Sequence, residues 1–365
     1  MLGIEAGTIL SDEILKVFVL LFAMCINIRS FLRSGVIVSS WVIYFIITVF
    51  FMLVVSYYNN MVMLDDLRAI AICLVSTMIG WQLVLSEKKM RFMLLFYAVC
   101  IGYVTYMQVT TNVGGFEIAD NYLTDNKNSL GAMLATGIFC LLFLQANSKR
   151  NVLKRLFLIL LILFFVTLLL TIRARTAAVA LVFLFLYFYY RRYRRKGVFL
   201  LFFLGTTIIL FVVLMAFPLA MEYIRDSFVQ NYEGGDITSG RMERNIAGLK
   251  FLSEHMWAGE LEADGNFSSI HNYPLNKWCG FGLFFSIPIL LYYLVTLCVV
   301  WIRSGSLGTS NIFNIGYFAL LIPFVVSMAE PTYPFGPGTA TVFNFILFGV
   351  ALRDTYDNRL EVAKM

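Results

Sequence analysis

Apolar runs long enough to cross a lipid bilayer recur along nearly the whole chain. One of them, LILLILFFVTLLLTI at 158–172, contains no charged residue. Hydrophobic residues make up 60% of the 365 residues and charged residues only 14%, which is more apolar surface than a soluble interior of this size needs. We therefore expect an all-α polytopic membrane protein, because a bilayer leaves few other ways to satisfy the backbone.

A window of about 19 residues, which suits a membrane helix, identifies about eleven candidate spans. They cover residues 12–28, 36–56, 67–85, 92–112, 129–145, 155–171, 176–190, 198–217, 279–302, 312–329 and 337–352. This pattern predicts about eight membrane helices in 1–217, one large polar loop at 218–278, and about three helices and a short tail in 279–365.

The loops between these spans alternate in charge. One set is basic and includes Lys88, Lys89, the RRYRRK run at 191–196 and the tail from Arg353. The other set includes the N-terminus, the IRART turn at 172–176 and the large loop. The positive-inside rule assigns the basic set to the cytoplasm, which predicts an external N-terminus and a cytoplasmic C-terminus.

Several arginines nevertheless lie on the predicted external side. Arg173 and Arg175 occupy a tight turn after an apolar run. Guanidinium forks match phosphate oxygens, so two arginines in one turn suit a diphosphate. The alternatives are an interfacial anchor, contact with lipid headgroups, or salt bridges with acidic residues of the large loop: Asp226, Asp236 and Glu243.

The large loop contains an SGR sequence that predicts a helix. Ser239 suits the N-cap, and the helix is expected to run from Arg241 to Leu252. Arg241 and Arg244 are three residues apart and share a face, so the start of this helix is a candidate anion site. The alternative is an amphipathic helix on lipid headgroups. Its apolar face would comprise Met242, Ile246 and Leu249.

The chain has two histidines, and His271 has the more polar surroundings. A histidine at the edge of a membrane cavity is a candidate general base, and Asn272 beside it is a candidate for orienting a substrate. The alternative is a histidine that bonds the loop backbone. His255 is expected to be structural.

Three carboxylates lie at the predicted external ends of membrane helices. Asp65 and Asp66 are a candidate divalent-ion site, although Arg68 offers a simpler partner. Glu330, in the sequence AEPTYPFGPG, either faces the same cavity as the arginines or is solvated.

Other functional classes find little support in the sequence. The six cysteines are scattered without a CxxC pair, which favours neither a disulfide framework nor a zinc site. The net charge of +6 lies in short loops, so it indicates topology and gives no reason to expect nucleic acid binding.

Four sequences between residues 124 and 282 resemble motifs of the O-antigen polymerase and ligase superfamily. They are TDNKNSLGAMLA at 124–135, ARTAAVAL at 174–181, SGR at 239–241 and HNYPLNKWCGFG at 271–282. Ala174 stands where the family usually has serine, and MWAGELEADG at 256–265 departs from the family's Gly-rich pattern.

This resemblance implies a bacterial inner-membrane glycosyltransferase of GT-C-like architecture. Its donor would be an undecaprenyl-diphosphate-linked oligosaccharide, and the reaction would be inverting, with no metal or other cofactor. Arg175 and Arg241 would hold the diphosphate and His271 would deprotonate the acceptor hydroxyl. Arg173, Arg244, Asn272 and Asn128 would bind substrate. The lipid bilayer and a chain-length regulator would be its further partners.

Three other interpretations stay open at this point. A ligase would transfer a finished glycan to another acceptor, and the sequence separates it poorly from a polymerase. A flippase or transporter would require charged residues along a path within the helices, whereas the candidate spans are nearly free of central charge. A receptor or structural protein would use the external arginines only for lipid contact.

Overall fold

The computed structural model describes residues 62–112, 127–148, 152–172, 174–193, 240–261, 270–336 and 340–363, together with some helical positions between 35 and 49. Within these ranges no residue belongs to a β-strand. The prediction of an all-α chain is therefore confirmed for the part that the structure describes.

The described α-helices, labelled in chain order, are α1 (Val62–Gln82), α2 (Glu87–Asn112), α3 (Lys127–Ala146), α4 (Val152–Thr171), α5 (Arg175–Tyr193), α6 (Arg241–Glu254), α7 (Tyr273–Ser306), α8 (Ile315–Ala319), α9 (Leu321–Val326) and α10 (Val342–Ala363). Short 3-10 turns occupy Gly259–Leu261 and Ile312–Asn314.

Four segments are long and apolar enough to cross a membrane: Glu87–Thr111, Asn128–Ala146, Val152–Thr171 and Tyr273–Ser306. Three of these helices expose large apolar side chains in place of polar ones, which suits contact with lipid. Examples are Phe92, Phe96 and Tyr103 on α2, Leu156, Phe157 and Leu160 on α4, and Leu291, Leu294 and Trp301 on α7. These features support a membrane protein, while the count of about eleven spans stays a prediction.

Several predicted boundaries change. α7 begins at Tyr273, so the end of the predicted loop is already helical. The predicted span 312–329 is interrupted, because Pro323 lacks the N–H that would continue the helical ladder across Leu320. The last helix continues to Ala363. The predicted spans 12–28 and 198–217 lie outside the described residues, as does much of 36–56.

The helix ends fall into two groups. One group, which we call the basic end, contains the C-termini of α1 and α3 together with Arg192 and Arg353. There the Arg192 guanidinium donates to the Ala146 carbonyl at 2.6 Å, at the C-terminus of α3. Arg353 donates to the carbonyls of Trp81 and Gln82 at 3.2 and 3.3 Å, at the C-terminus of α1. Cations at helix C-termini are favourable because those ends carry partial negative charge. The segregation of the basic loops to one end of the bundle agrees with the charge alternation.

The opposite end, which we call the site end, is where α3, α5, α6 and α7 begin. Close packing brings the starts of α3 and α5 together. A Cβ at Gly131 of α3 would collide with the Cβ of Ala174, which is buried just before α5. Small residues allow helix backbones to approach closely in membranes. Ala174 therefore lies at a tight contact between these two helices.

Candidate functional site

The start of α7 is fastened to the segment that follows α9. Asn272 is the N-cap, and its Oδ1 accepts from the Leu275 N–H at 3.1 Å. Its Nδ2 donates to the Met328 carbonyl at 3.3 Å, and the Tyr273 N–H donates to the Ser327 carbonyl at 2.9 Å. Both polar groups of the Asn272 side chain are therefore used within the protein, which orients His271 immediately before it.

A break in α7 positions the loop helix α6. Gly282 has φ 68° and ψ 169° inside the helix, which interrupts the backbone hydrogen bonding. The N–H groups of Leu283 and Phe284 instead donate to the carbonyls of Met256 and Trp257, at 2.8 and 3.2 Å. The segment that follows α6 thus replaces missing helical partners in α7.

The closeness of this contact requires a second glycine. Gly259 has φ 60°, and a Cβ there would collide with the carbonyl oxygen of Cys279. Leu252, Ile270 and Cys279 form a small apolar cluster beside it. The sequence MWAGEL at 256–261 therefore docks α6 onto the first part of α7.

Arg241, the first residue of α6, is held from two sides. Its guanidinium donates to Glu330 Oε1 at 2.8 Å and to Thr176 Oγ1 at 3.1 Å. Asn128 Nδ2 donates to the same Glu330 oxygen at 2.9 Å. The Glu330 side chain is only 9% exposed. One buried carboxylate therefore connects the starts of α3 and α6, and Arg241 connects it to the start of α5.

Arg244 lies one turn further along α6 and contacts the histidine. Its NH1 is 3.0 Å from His271 Nε2. Partial burial lowers the pKa of His271, and the positive charges of Arg241 and Arg244 lower the pKa further. The imidazole is therefore neutral at pH 7, which is the protonation state that a general base requires.

The cluster also lies where several helices begin. Asn128, Arg175, Arg241 and Tyr273 are at or next to the first residues of α3, α5, α6 and α7. Helix N-termini carry partial positive charge and free N–H groups, so they favour anions. The positive charges of Arg241 and Arg244 add to this effect, while among the described residues the Glu330 carboxylate opposes it.

Most of the predicted site residues lie in or beside this cluster. His271, Arg241, Arg244 and Asn128 meet through the contacts above, and Arg175 is the half-buried first residue of α5, next to Thr176. Arg173 lies outside the described residues.

The structure places Gly240, with φ 73°, at the N-cap of α6, and no side-chain cap forms there among the described residues. Ser239, the predicted N-cap, lies outside the described residues. Met242, Ile246 and Leu249 are exposed together, as predicted for one apolar face.

Asp66 has a partner from across the bundle. Lys277 Nζ lies 2.7 Å from each of its carboxylate oxygens, and the two side chains are 14% and 9% exposed. The described residues contain no group of three potential metal-ligating side chains. An ion pair therefore explains Asp66 without a metal, while the Asp65 side chain lies outside the described residues.

Two residues of the cluster were not assigned a role from the sequence. Glu330 is neither solvated nor isolated, because it binds Arg241 and Asn128. Thr176 contributes its hydroxyl from the start of α5. A carboxylate between two apolar helices, in a turn with three prolines, was the available signal for Glu330.

No known protein-family model matches this chain, and no curated protein matches it either.

Proposed function

We propose that this protein is a membrane glycosyltransferase that polymerises lipid-linked oligosaccharides, using a polyprenyl diphosphate as the leaving group. The observation that carries the proposal is the meeting of Arg241, Arg244 and His271 where four helices begin, at one end of an apolar bundle. Such a site suits a diphosphate whose lipid tail stays in the bilayer.

Arg241, Arg175 and Arg244 recognise the anion, and different contacts orient Arg241 and Arg244. Glu330 and Thr176 fix the direction of the Arg241 guanidinium, which leaves further N–H donors for phosphate oxygens. Arg175 begins α5 next to Thr176, and Arg244 extends from α6 towards His271. These cations stabilise the negative charge that develops on the diphosphate as it leaves.

The reaction is a direct displacement at the anomeric carbon. The acceptor hydroxyl oxygen attacks this carbon, and the bond from the carbon to the diphosphate oxygen breaks with its electrons remaining on the diphosphate. His271 takes the hydroxyl proton. The anomeric configuration inverts. No metal takes part, because the diphosphate is already a good leaving group and the arginines neutralise its charge.

The glycan and the cellular setting are inferred from the sequence motifs. ARTAAVAL, SGR and HNYPLNKWCGFG resemble the O-antigen polymerase and ligase superfamily, and their arginines and histidine are members of the cluster. We infer undecaprenyl diphosphate as the carrier, a GT-C-like fold, and a site on the external face of a bacterial inner membrane.

Reconstitution tests this proposal directly. Purified protein in liposomes is supplied with a lipid-linked oligosaccharide, and chain length is followed by gel electrophoresis. We expect elongation by the wild type, with and without chelator, and none by His271→Ala or Arg241→Ala. His255→Ala is the matched control, because His255 packs on Phe251 with ring centroids 4.8 Å apart and is expected to be structural.

The same assay separates the competing functions. Transfer only to a different lipid-linked acceptor, without elongation, would indicate a ligase. Movement of the substrate across the bilayer without any transfer would indicate a flippase and would overturn the proposal. Normal elongation by His271→Ala would remove the general base.

A further inference from the structure

The contact between Arg244 and His271 has a defined hydrogen-bond polarity. A guanidinium has only N–H donors and no acceptor. The 3.0 Å contact from Arg244 NH1 to His271 Nε2 therefore requires that Nε2 accept through its lone pair. In a neutral imidazole the proton must then be on Nδ1, which is buried without a hydrogen-bond partner among the described residues.

This polarity conflicts with immediate action of His271 as a base. A neutral imidazole has a single lone pair available for a proton, and here that lone pair is occupied by Arg244. An acceptor hydroxyl cannot donate to Nε2 until Arg244 withdraws. The histidine is therefore oriented but blocked in this state.

The two arginines of α6 differ in how firmly they are held. Arg241 is bound to the carboxylate of Glu330, to which hydrogen bonds are strong because both groups are charged. Arg244 is exposed, and its contact is with a neutral ring. A diphosphate offers Arg244 a charged acceptor, so the exchange of His271 for a phosphate oxygen is favourable.

We propose that Arg244 is a substrate-responsive cover of the general base: a bound diphosphate draws Arg244 away from His271 and thereby exposes Nε2 to the acceptor hydroxyl. This inference rests on the proposed function and adds an order to it, with the diphosphate-bearing donor binding before the base becomes available. Arg244 acts through His271 here, as a positioning residue, in addition to binding the anion.

The charges around His271 also favour its action as a base once a diphosphate is bound. Among the described residues, the charged groups that shift the pKa of His271 are Arg241 and Arg244 of α6, and Arg241 is itself paired with Glu330. Both cations lower the pKa of His271. A diphosphate that binds these cations offsets their repulsion, so the imidazole becomes a stronger base when the donor is present.

The chain offers a direct way to observe this exchange, because it contains only two histidines. His255→Gln leaves His271 as the one imidazole. This parent protein, with nitrogen-labelled histidine, is incorporated into lipid nanodiscs and studied by nitrogen NMR. The probes are inorganic pyrophosphate and farnesyl diphosphate, and phosphorus NMR reports independently whether each one binds.

We expect the parent without probe to show a protonated Nδ1 and an Nε2 that accepts a hydrogen bond. A saturating probe should remove the hydrogen bond to Nε2 and raise the pKa of His271. Arg244→Ala should show the released Nε2 signal without any probe. Lys250→Ala, which removes an exposed cation from the same helix, should behave like the parent.

The two probes distinguish a free diphosphate from a lipid-borne one. Release by farnesyl diphosphate alone supports a lipid-linked ligand, and release by both probes supports recognition of the diphosphate itself. If a probe binds and the Nε2 signal is unchanged, the proposal that Arg244 covers His271 is wrong. Failure of both probes to bind would also contradict it. An Arg244→Ala spectrum identical to that of the parent without probe would overturn it as well.

The elongation assay is a separate measurement, so the two proposals fail differently. Release of Nε2 without any elongation would contradict the polymerase and leave the cover intact. Elongation with an unchanged Nε2 signal would contradict the cover alone.

Discussion

Arg241 NH2 and Glu330 Oε1 lie 2.8 Å apart, although 89 residues separate them in the sequence. This contact fastens the first residue of α6 to the turn before α10. The same carboxylate oxygen accepts from Asn128 at the start of α3. Glu330 therefore aligns a loop arginine with the start of a membrane helix, while the contacts of Met256, Trp257 and Gly259 dock the other end of α6.

Replacement of this carboxylate should weaken catalysis. Glu330→Gln keeps the size of the side chain but leaves Arg241 without its negative partner. A hydrogen bond to a charged group contributes about 1.5–3 kcal/mol, so we expect elongation to slow roughly 10- to 150-fold. Initial rates in liposomes measure this loss. Glu254→Gln, at the exposed end of α6, is the control, and equal rates for both variants would contradict a role for Glu330.

The pH dependence of the reaction should reflect the surroundings of His271. Burial and the neighbouring arginines lower the pKa of His271 below 6.5, so the neutral base is lost only as the pH falls below that value. We expect kcat/KM to be constant above neutrality and to decrease at acidic pH. In Arg244→Ala one repelling cation is absent, so the acidic limb should move to higher pH. A limb that moves to lower pH would contradict this assignment.

The glycine contact between α6 and the break in α7 should be intolerant of a side chain. In Gly259→Ala the methyl group would meet the Cys279 carbonyl, in a backbone conformation with positive φ. We expect a lower temperature of unfolding and loss of elongation, because α6 would lose its support. Gly280→Ala is the matched control, since a Cβ there meets no atom within 4 Å. Thermal unfolding in nanodiscs compares the two, and equal stability would refute the importance of this contact.

The buried pair of Asp66 and Lys277 should behave as a coupled unit. Breaking a buried ion pair by removing one partner costs about 3–5 kcal/mol, whereas replacing both with apolar or neutral groups is often nearly neutral. We therefore expect Lys277→Met to destabilise the protein more than the double variant Asp66→Asn/Lys277→Met.

Urea unfolding of the wild type, Asp66→Asn, Lys277→Met and the double variant gives a double-mutant cycle, which measures the coupling between the two residues. Additive effects would indicate that the two residues act independently. Loss of stability on addition of chelator to the wild type would restore the metal interpretation of Asp66.

The sequence predicted the local features of the site well. Arg241 begins a helix, and the apolar side chains of Met242, Ile246 and Leu249 share its exposed face. These features follow from short-range periodicity and from turn residues, which act over one or two helical turns. The grouping of basic loops at one end of the bundle was also predictable, since charge is excluded from the apolar segments between them.

The sequence by itself determined that this chain is helical, that its apolar segments require lipid, and that its arginines and His271 gather in the polar intervals between those segments. Only the tertiary structure decided which of these groups meet. Glu330 binds Arg241 across 89 residues, and Lys277 binds Asp66 across 211. Neither pairing leaves a periodic signal, because it depends on how closely the helices pack and on where α7 breaks at Gly282.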